Sequence, residues 1–469
     1  MNSVCRRLTV GILAAVLLFT GWFVLREQAG SPAGISSGRE EVVFWHFWGG
    51  EDREVVDEVV ARFNQSQDTY YVRAVAMPGN NLHAKLFLSV AGGDPPDLVN
   101  QDDPVIPDWA ARGVIQPLDQ IAGPDELADV RDWLLPSAQR LSTFDQRMYG
   151  LCNGLDIRAL IYNQSLLDSY DLEPPQTLEQ LDQIATTIAP VGTTPRNRYG
   201  YLPDTRRLLA WGVVFGGQFF DEQSQQVTVD HPGIVRALEW MASYREKYGS
   251  DQIAAFRKGD QLPGVPFPLL PVDEDSIAGR YAVVMDGQWR VRNIEEFQRE
   301  RSNRGLSVPK FGVAPLPHPM GGRQRAGWVN GNFFVVPRGA KNSRGAWEFA
   351  KFWIGYQNPS EAAKTCASGG WIPVSNEVIQ TETFQEYLTS SPLFEAYVSL
   401  AASENQFPTP QVVGAAMLKR TIEEAGYEAL HGSPRSPRQI LQQSNIRIQE
   451  QLDRVGNLAG SSKSKGSRP

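Results

Sequence analysis

The residues of this chain best placed to do chemistry are flat rings beside glycines, together with carboxylates and amides at the ends of apolar runs. Twelve tryptophans stand among 469 residues. The densest aromatic run, VVFWHFWGG, sets Phe44, Trp45, His46, Phe47 and Trp48 directly before Gly49 and Gly50. DGQW joins Asp286 to Trp289, GWVNGN gathers Trp328, Asn330 and Asn332, and SGGW puts Trp371 after two glycines. Rings of this kind fill a core or stack on apolar faces, while carboxylates and amides hold a polar edge through paired hydrogen bonds. The combination suits recognition better than bond making. No HExxH, Walker glycine loop or GxGxxG occurs, so those signatures of metalloprotease and nucleotide chemistry are missing. Five histidines, His46, His83, His231, His318 and His431, are scattered without metal-ligand spacing, and no metal or cofactor is expected. Carboxylates are plentiful, so a pair able to hydrolyse a glycoside stays open.

These side chains need a frame, and the runs between them supply one. EVVFWHF predicts a strand, followed by a helix in which Val55, Val56, Val59, Val60 and Phe63 recur at helical spacing. TYYVRAVAM predicts a second strand, and LHAKLFLSVAGG a helix that stops at Gly92 and Gly93. A short buried strand, Asp97 to Asn100, then leads into Gln101 and Asp102. Further strands are expected at Ala159 to Asn163, before Asp286-Gly287, at FGVA and at NFFVV, with helices between. This alternation predicts an α/β chain with a mostly parallel sheet, whose ligands sit beyond the carboxyl ends of strands. Trp45 to Trp48 and the pair Gln101 and Asp102 then share one rim.

At 469 residues two domains or lobes are expected. The net charge of −8, with no basic stripe interleaved with aromatics, argues against a nucleic-acid partner. Residues 1–25 read as a signal peptide or N-terminal membrane anchor: after Arg6 and Arg7 comes an uncharged run, Leu8 to Leu25, just long enough to span a bilayer. Residues 26–39 read as a flexible linker, and 459–469 as a polar basic tail without structure. Cys152 and Cys366 could pair or stay as buried thiols.

Five segments in order, KLFLSVAGGDPPDLV, YGLCNGLDIRALIYNQSLL, YAVVMDGQW, FGVAPLPHPMGG and GNFFVVPRGAKNSRGAWEFAKFW, resemble the extracellular solute-binding proteins of ABC importers. Within these the chain looks like the sugar-binding cluster that includes maltose-binding protein, over roughly Glu41 to Leu458. The resemblance implies a two-lobed periplasmic-binding-protein fold of type II, α/β, with discontinuous lobes joined by hinge strands. By position, lobe one would be 40–153 plus 329–372 and lobe two 156–326 plus 375–458. Glycine-bearing bends at 150–156 and 326–332 would then be hinges whose φ and ψ change on closure.

The same resemblance implies a monomer, periplasmic or otherwise extracytoplasmic, that captures a carbohydrate and delivers it to membrane permease subunits without being an enzyme. It assigns Trp45, Phe47, Trp48, Gln101 and Asp102 to the ligand side of lobe one. Asn153 and Asp156 fall in the first hinge, where Asp156 aligns with the acidic position that binds sugar in relatives. Trp211, Asp286 and Trp289 would face the cleft from lobe two. Trp328, Asn330 and Asn332 surround the second hinge, and Trp371 lies near a third crossing. Where many relatives have Tyr-Ser or Tyr-Thr in the first bend, this chain has Cys152-Asn153. A glycerol-phosphate diester is a second candidate ligand and would need a cation such as Arg158 or Arg325. A carbohydrate-active enzyme and a tethered sugar sensor are the other readings.

Overall fold

The computed structural model describes residues 38–465 apart from 78, 103, 193–196, 261–266 and 272. The apolar run at 8–25 and nearly all of the expected linker lie outside the described residues. Among those described, no helix is long and apolar enough to cross a membrane.

The main strands in chain order are β1 (Glu40–His46), β2 (Tyr70–Ala76), β3 (Leu98–Asp102), β4 (Leu151–Asp156), β5 (Arg158–Asn163) and β6 (Val283–Gly287). They continue with β7 (Phe311–Ala314), the two-residue β8 (Gly327–Trp328), β9 (Asn330–Val335) and the two-residue β10 (Gln406–Phe407). One sheet has the order β2-β1-β3-β9-β4, and a second has β6-β5-β7. Strand β1 buries Val42, Phe44 and His46 by alternation, as a pleated strand against a core requires. That face packs on helices: Phe44 meets Phe349 edge to face at 5.4 Å, and Phe349 meets Phe63 at 5.1 Å.

The expected mostly parallel sheet holds only in part. Strands β1, β2 and β3 are parallel, but β9 runs antiparallel to β3 and to β4. In the second sheet both neighbours of β5 are antiparallel to it. The physical reason is the path of the chain: β9 carries it back across the molecule, so it enters the first sheet from the opposite end.

There are two apolar cores, and the second sheet faces both, with Ala159 and Ile161 in the first and Leu160 and Met285 in the second. One gathers Phe44, Phe63, Phe334, Phe349 and Trp353; the other gathers Leu160, Trp211, Leu238, Tyr244 and Ile422. Three crossing segments lie side by side between them, since Asp156 pairs with Asn330, Leu155 with Gly331, and Leu155 bridges to Ile372. Gly331 is needed for space, because a Cβ there would lie 2.7 Å from the Gly154 carbonyl oxygen and 3.1 Å from Cys152 Sγ. Close packing of crossing strands thus accounts for a glycine that the sequence suggested was there for torsional freedom.

Two boundaries move. Helices Glu382–Ser390 and Pro392–Ala401, expected in lobe two, form a bridge: the first packs on helix Pro359–Gly369 and the second on β7. The last helix spans Pro437–Lys465 and so covers much of the expected tail, because no proline follows Pro437 until Pro469. Cys152 and Cys366 are both buried thiols, and burial pushes the Cys366 thiol up to about 12.

Candidate functional site

At the crossing of the two lobes, Trp48, Asn153, Asp156, Asn332 and Trp371 surround one cavity, with Gly154 and Leu155 completing its wall. Its volume is about 10 Å³, room for about one water. Trp48 reaches it because β1 ends at His46 and the chain turns at Gly50, whose φ of 57° suits glycine. Trp48 is stacked with Trp371 at 5.2 Å and with Trp353 at 5.5 Å, and the last two lie 5.6 Å apart. Three indoles therefore brace one another into a rigid wall.

Asn153 reaches the cavity through a β-bulge. Asn332 pairs with Gly154 and the next residue, Phe333, pairs with Cys152, which leaves Asn153 as the extra residue in β4. Bulges re-aim a side chain while breaking the ladder locally. The Asn153 side chain is 4 % exposed, and neither its amide nitrogen nor its amide oxygen has a hydrogen-bond partner. A buried amide so placed costs about 1–3 kcal/mol in unmade hydrogen bonds, and it points into the cavity that a ligand's polar groups would enter.

Asp156 is wired more fully. Its Oδ1 accepts from Gln288 Nε2 at 2.9 Å and its Oδ2 from Asn330 Nδ2 at 3.1 Å. Burial raises its carboxyl above the ordinary carboxylate range, against the pull of the Arg158 guanidinium and the two amides. Each carboxylate oxygen can accept a second hydrogen bond, so the group can still grip a pair of hydroxyls. Arg158 in turn donates to Asn330 Oδ1 and, at 3.2 Å, to the Asp156 carbonyl.

Other expected site residues are elsewhere. Trp45 and Phe47 are half-buried against the first core, Phe47 at 5.3 Å from Trp48, and neither lines the cavity. Asp102 sits opposite Asn332 in the sheet and Gln101 opposite Phe333, at the edge of the site without lining it. Trp211 is fully buried in the second core, edge-on to Trp240 at 4.6 Å; its helix, Leu208–Val214, is apolar on every side and so has no face for a cleft. The Asp286 carboxylate accepts from Arg290 Nε at 2.9 Å and from the Gly287 N–H. Trp289 and Trp328 both face Arg158, whose Cζ lies 4.8 and 4.5 Å from their ring centroids. Arg158 is thereby enclosed, and Arg325 bonds to Ser399, so the structure brings neither to the cavity as a phosphate ligand. Sequence reasoning missed Gln288, which sat unread inside DGQW.

The lobes also touch through residues that do not line the cavity. Arg292 donates to the Ser368 carbonyl at 2.7 Å and lies 3.6 Å from Asp52, and the Gly414 N–H donates to Asp108 at 2.9 Å. A second groove, of about 1480 Å³, also runs between them, lined among others by Arg140, Phe144, Gln218, Phe219, Arg323 and Phe407. It shares no residue with the small cavity and holds none of the expected site residues. Size alone would favour it. The unbonded Asn153 amide and the indole wall single out the smaller space. Among the described residues no group of His, Cys, Asp or Glu could hold a metal ion.

Two α/β lobes, three crossing segments and a polar, indole-walled cavity between them define a two-lobed binding protein of the type II periplasmic fold. The bacterial extracellular solute-binding protein family matches residues 58–390, and the chain belongs to it. It is 22 % identical over 364 residues to the maltotriose-binding protein of Pyrococcus abyssi, covering 73 % of this chain and 68 % of that one. The sugar-binding protein MalE from Xanthomonas citri superposes with a TM-score of 0.71 at 20 % identity, covering 89 % of this chain and 98 % of its own. An ABC substrate-binding protein from Listeria monocytogenes in complex with cycloalternan gives 0.70 at 20 % identity, with 88 % and 99 % covered. Members of this family are extracellular solute-binding proteins.

Proposed function

We propose that this protein is the substrate-binding component of an ABC importer and captures a carbohydrate at the crossing of its lobes. The observation that carries the reading is the cavity itself, where the Trp48 and Trp371 indoles stand beside the Asp156 carboxylate and an Asn153 amide with no partner of its own. Indoles receive the C–H face of a pyranose, and the carboxylate and amides receive its hydroxyls. The relatives named above, described as binding maltotriose, sugar and cycloalternan, support the same ligand class.

Space for about one water cannot hold a sugar ring, so the lobes must part for ligand to enter and then close over it less far than they do here. To move such an equilibrium from mostly open to mostly closed, ligand must favour the closed form by about 5.5 kcal/mol. The closed form is what a membrane permease would recognise, and residues 8–25 would export the protein or tether it to the membrane.

A thermal-shift screen of the exported protein against malto-, manno- and galacto-oligosaccharides tests this. A bound sugar at 100 times its Kd should stabilise by about 2.7 kcal/mol, with no product formed on prolonged incubation. Turnover of the sugar, or no shift with any of them, would overturn the reading.

A further inference from the structure

We propose that Arg158 is a specificity-determining residue: its guanidinium plugs an aromatic slot between Trp289 and Trp328 and so limits how many ligand rings the site can stack. The inference rests on the carbohydrate reading above.

Trp289 and Trp328 are the tryptophans that a two-sided stacking site would draw from lobe two and the second hinge. One face of each is already taken, at 4.8 and 4.5 Å, by the guanidinium of Arg158, a residue only 6 % exposed. An indole face receives a planar cation and the flat face of a sugar in the same way, and it cannot receive both at once. Neither ring is free to swing aside. Trp289 lies over Gly287 so closely that a Cβ there would come within 2.1 Å of the indole. Trp328 donates from Nε1 to Thr409 at 3.1 Å and carries the Lys419 ammonium 5.1 Å from its ring.

The slot adjoins the cavity. Asn330 accepts from Arg158 on its oxygen and donates from its nitrogen to Asp156, which lines the cavity. Arg158 thus stands one residue behind the Asp156 carboxylate, so on the carbohydrate reading a ligand long enough to pass that carboxylate would meet the slot. Arginine suits this task better than lysine because its plane fills the gap between two rings.

Calorimetric titrations with maltose, maltotriose and maltotetraose, and with the corresponding manno-oligosaccharides, test the proposal on wild type and Arg158→Ala. Gaining one stacked ring should raise the affinity ratio of the longest to the shortest sugar by about tenfold, and millimolar methylguanidinium should return it to the wild-type value. Independently of any sugar, methylguanidinium should raise the Tm of Arg158→Ala and leave that of wild type unmoved. Arg158→Lys keeps a cation near Asp156 and decides the matter if the alanine variant does not fold, since it too should shift the ratio toward longer sugars. An unchanged ratio in the folded variants, or no effect of methylguanidinium on Arg158→Ala, would sink the plug. A wild type that binds none of the sugars would instead sink the carbohydrate reading, while the methylguanidinium arm still decides whether the slot exists.

Discussion

Tryptophan serves opposite ends in two neighbouring parts of this molecule. In the first lobe Trp48, Trp353 and Trp371 lie against one another within 5.2–5.6 Å, and two of them edge the cavity. Across the crossing segments, Trp289 and Trp328 close on a guanidinium instead. Neutral neighbours brace a ring and leave part of it for a guest; a cation between two rings takes both faces. A tryptophan beside a glycine therefore shows a capacity to stack, and the partner opposite decides whether that capacity is available.

The largest expected effect lies on the braced wall. Trp48 is 6 % exposed, so Trp48→Ala should cost about 3–5 kcal/mol of stability as for other buried large-to-small changes, read from urea unfolding. Trp371→Ala, at a half-buried site, should cost less stability and still remove most of the sugar affinity. A Trp371→Ala variant with wild-type affinity would show that the wall is core alone.

Beneath that wall His46 adds a pH dependence. Its ring lies 5.4 Å from Phe44 and 5.9 Å from Trp48, and burial, aided by Arg53 and opposed by Asp57, lowers its pKa from 6.5 to about 4. Between those values the unfolded chain binds a proton that the folded chain refuses. Stability from the neutral ring is thus full above about 6.5 and is lost as pH falls toward 4, by roughly 3 kcal/mol. Urea midpoints should drop between pH 7 and pH 4.5, and His46→Phe should flatten that part of the slope. If the variant keeps the full slope, His46 is not its source.

On the other side of the comparison, Trp289→Ala should cost about 1–2 kcal/mol, the worth of a largely desolvated cation–π contact, and leave the affinity for the shortest sugar bound within about twofold, since its face toward Arg158 is already covered. An affinity loss as large as that of Trp371→Ala would erase the distinction between the two regions.

How much of this was legible in the sequence depended on how local the cause was. Strands from β-branched and aromatic runs, and turns at glycines, are decided by neighbours, so β1, β3, β5 and β9 could be placed. Trp48, Asn153, Asp156, Asn332 and Trp371, which the resemblance named, fall round one cavity because each lies at a strand end or a crossing. Trp211 was expected at the cleft because the resemblance placed it in a loop there, whereas the fully apolar run LLAWGVV is the pattern of a buried helix. The pairing of Arg158 with Trp328 and Asn330 spans some 170 positions, and no local spacing signals it. The antiparallel entry of β9 was equally hidden, since it depends on where the returning chain meets the sheet.

The smallest expected change has the most telling sign. Asn153 is aimed into the cavity by a bulge whose existence depends on the register of β4 against β9, and its amide is unbonded there. Asn153→Ala removes a buried polar group that makes no hydrogen bond, so the free protein should become no less stable and could gain about 1 kcal/mol. The same change deletes a donor and an acceptor that a bound hydroxyl would use, so sugar affinity should fall about tenfold. Stability and affinity thus move in opposite directions, as expected of a group held ready for a guest. Core packing alone predicts instead that stability falls and affinity stays; urea unfolding and calorimetry on the one variant separate the two, and a destabilised variant with unchanged affinity would remove Asn153 from the site.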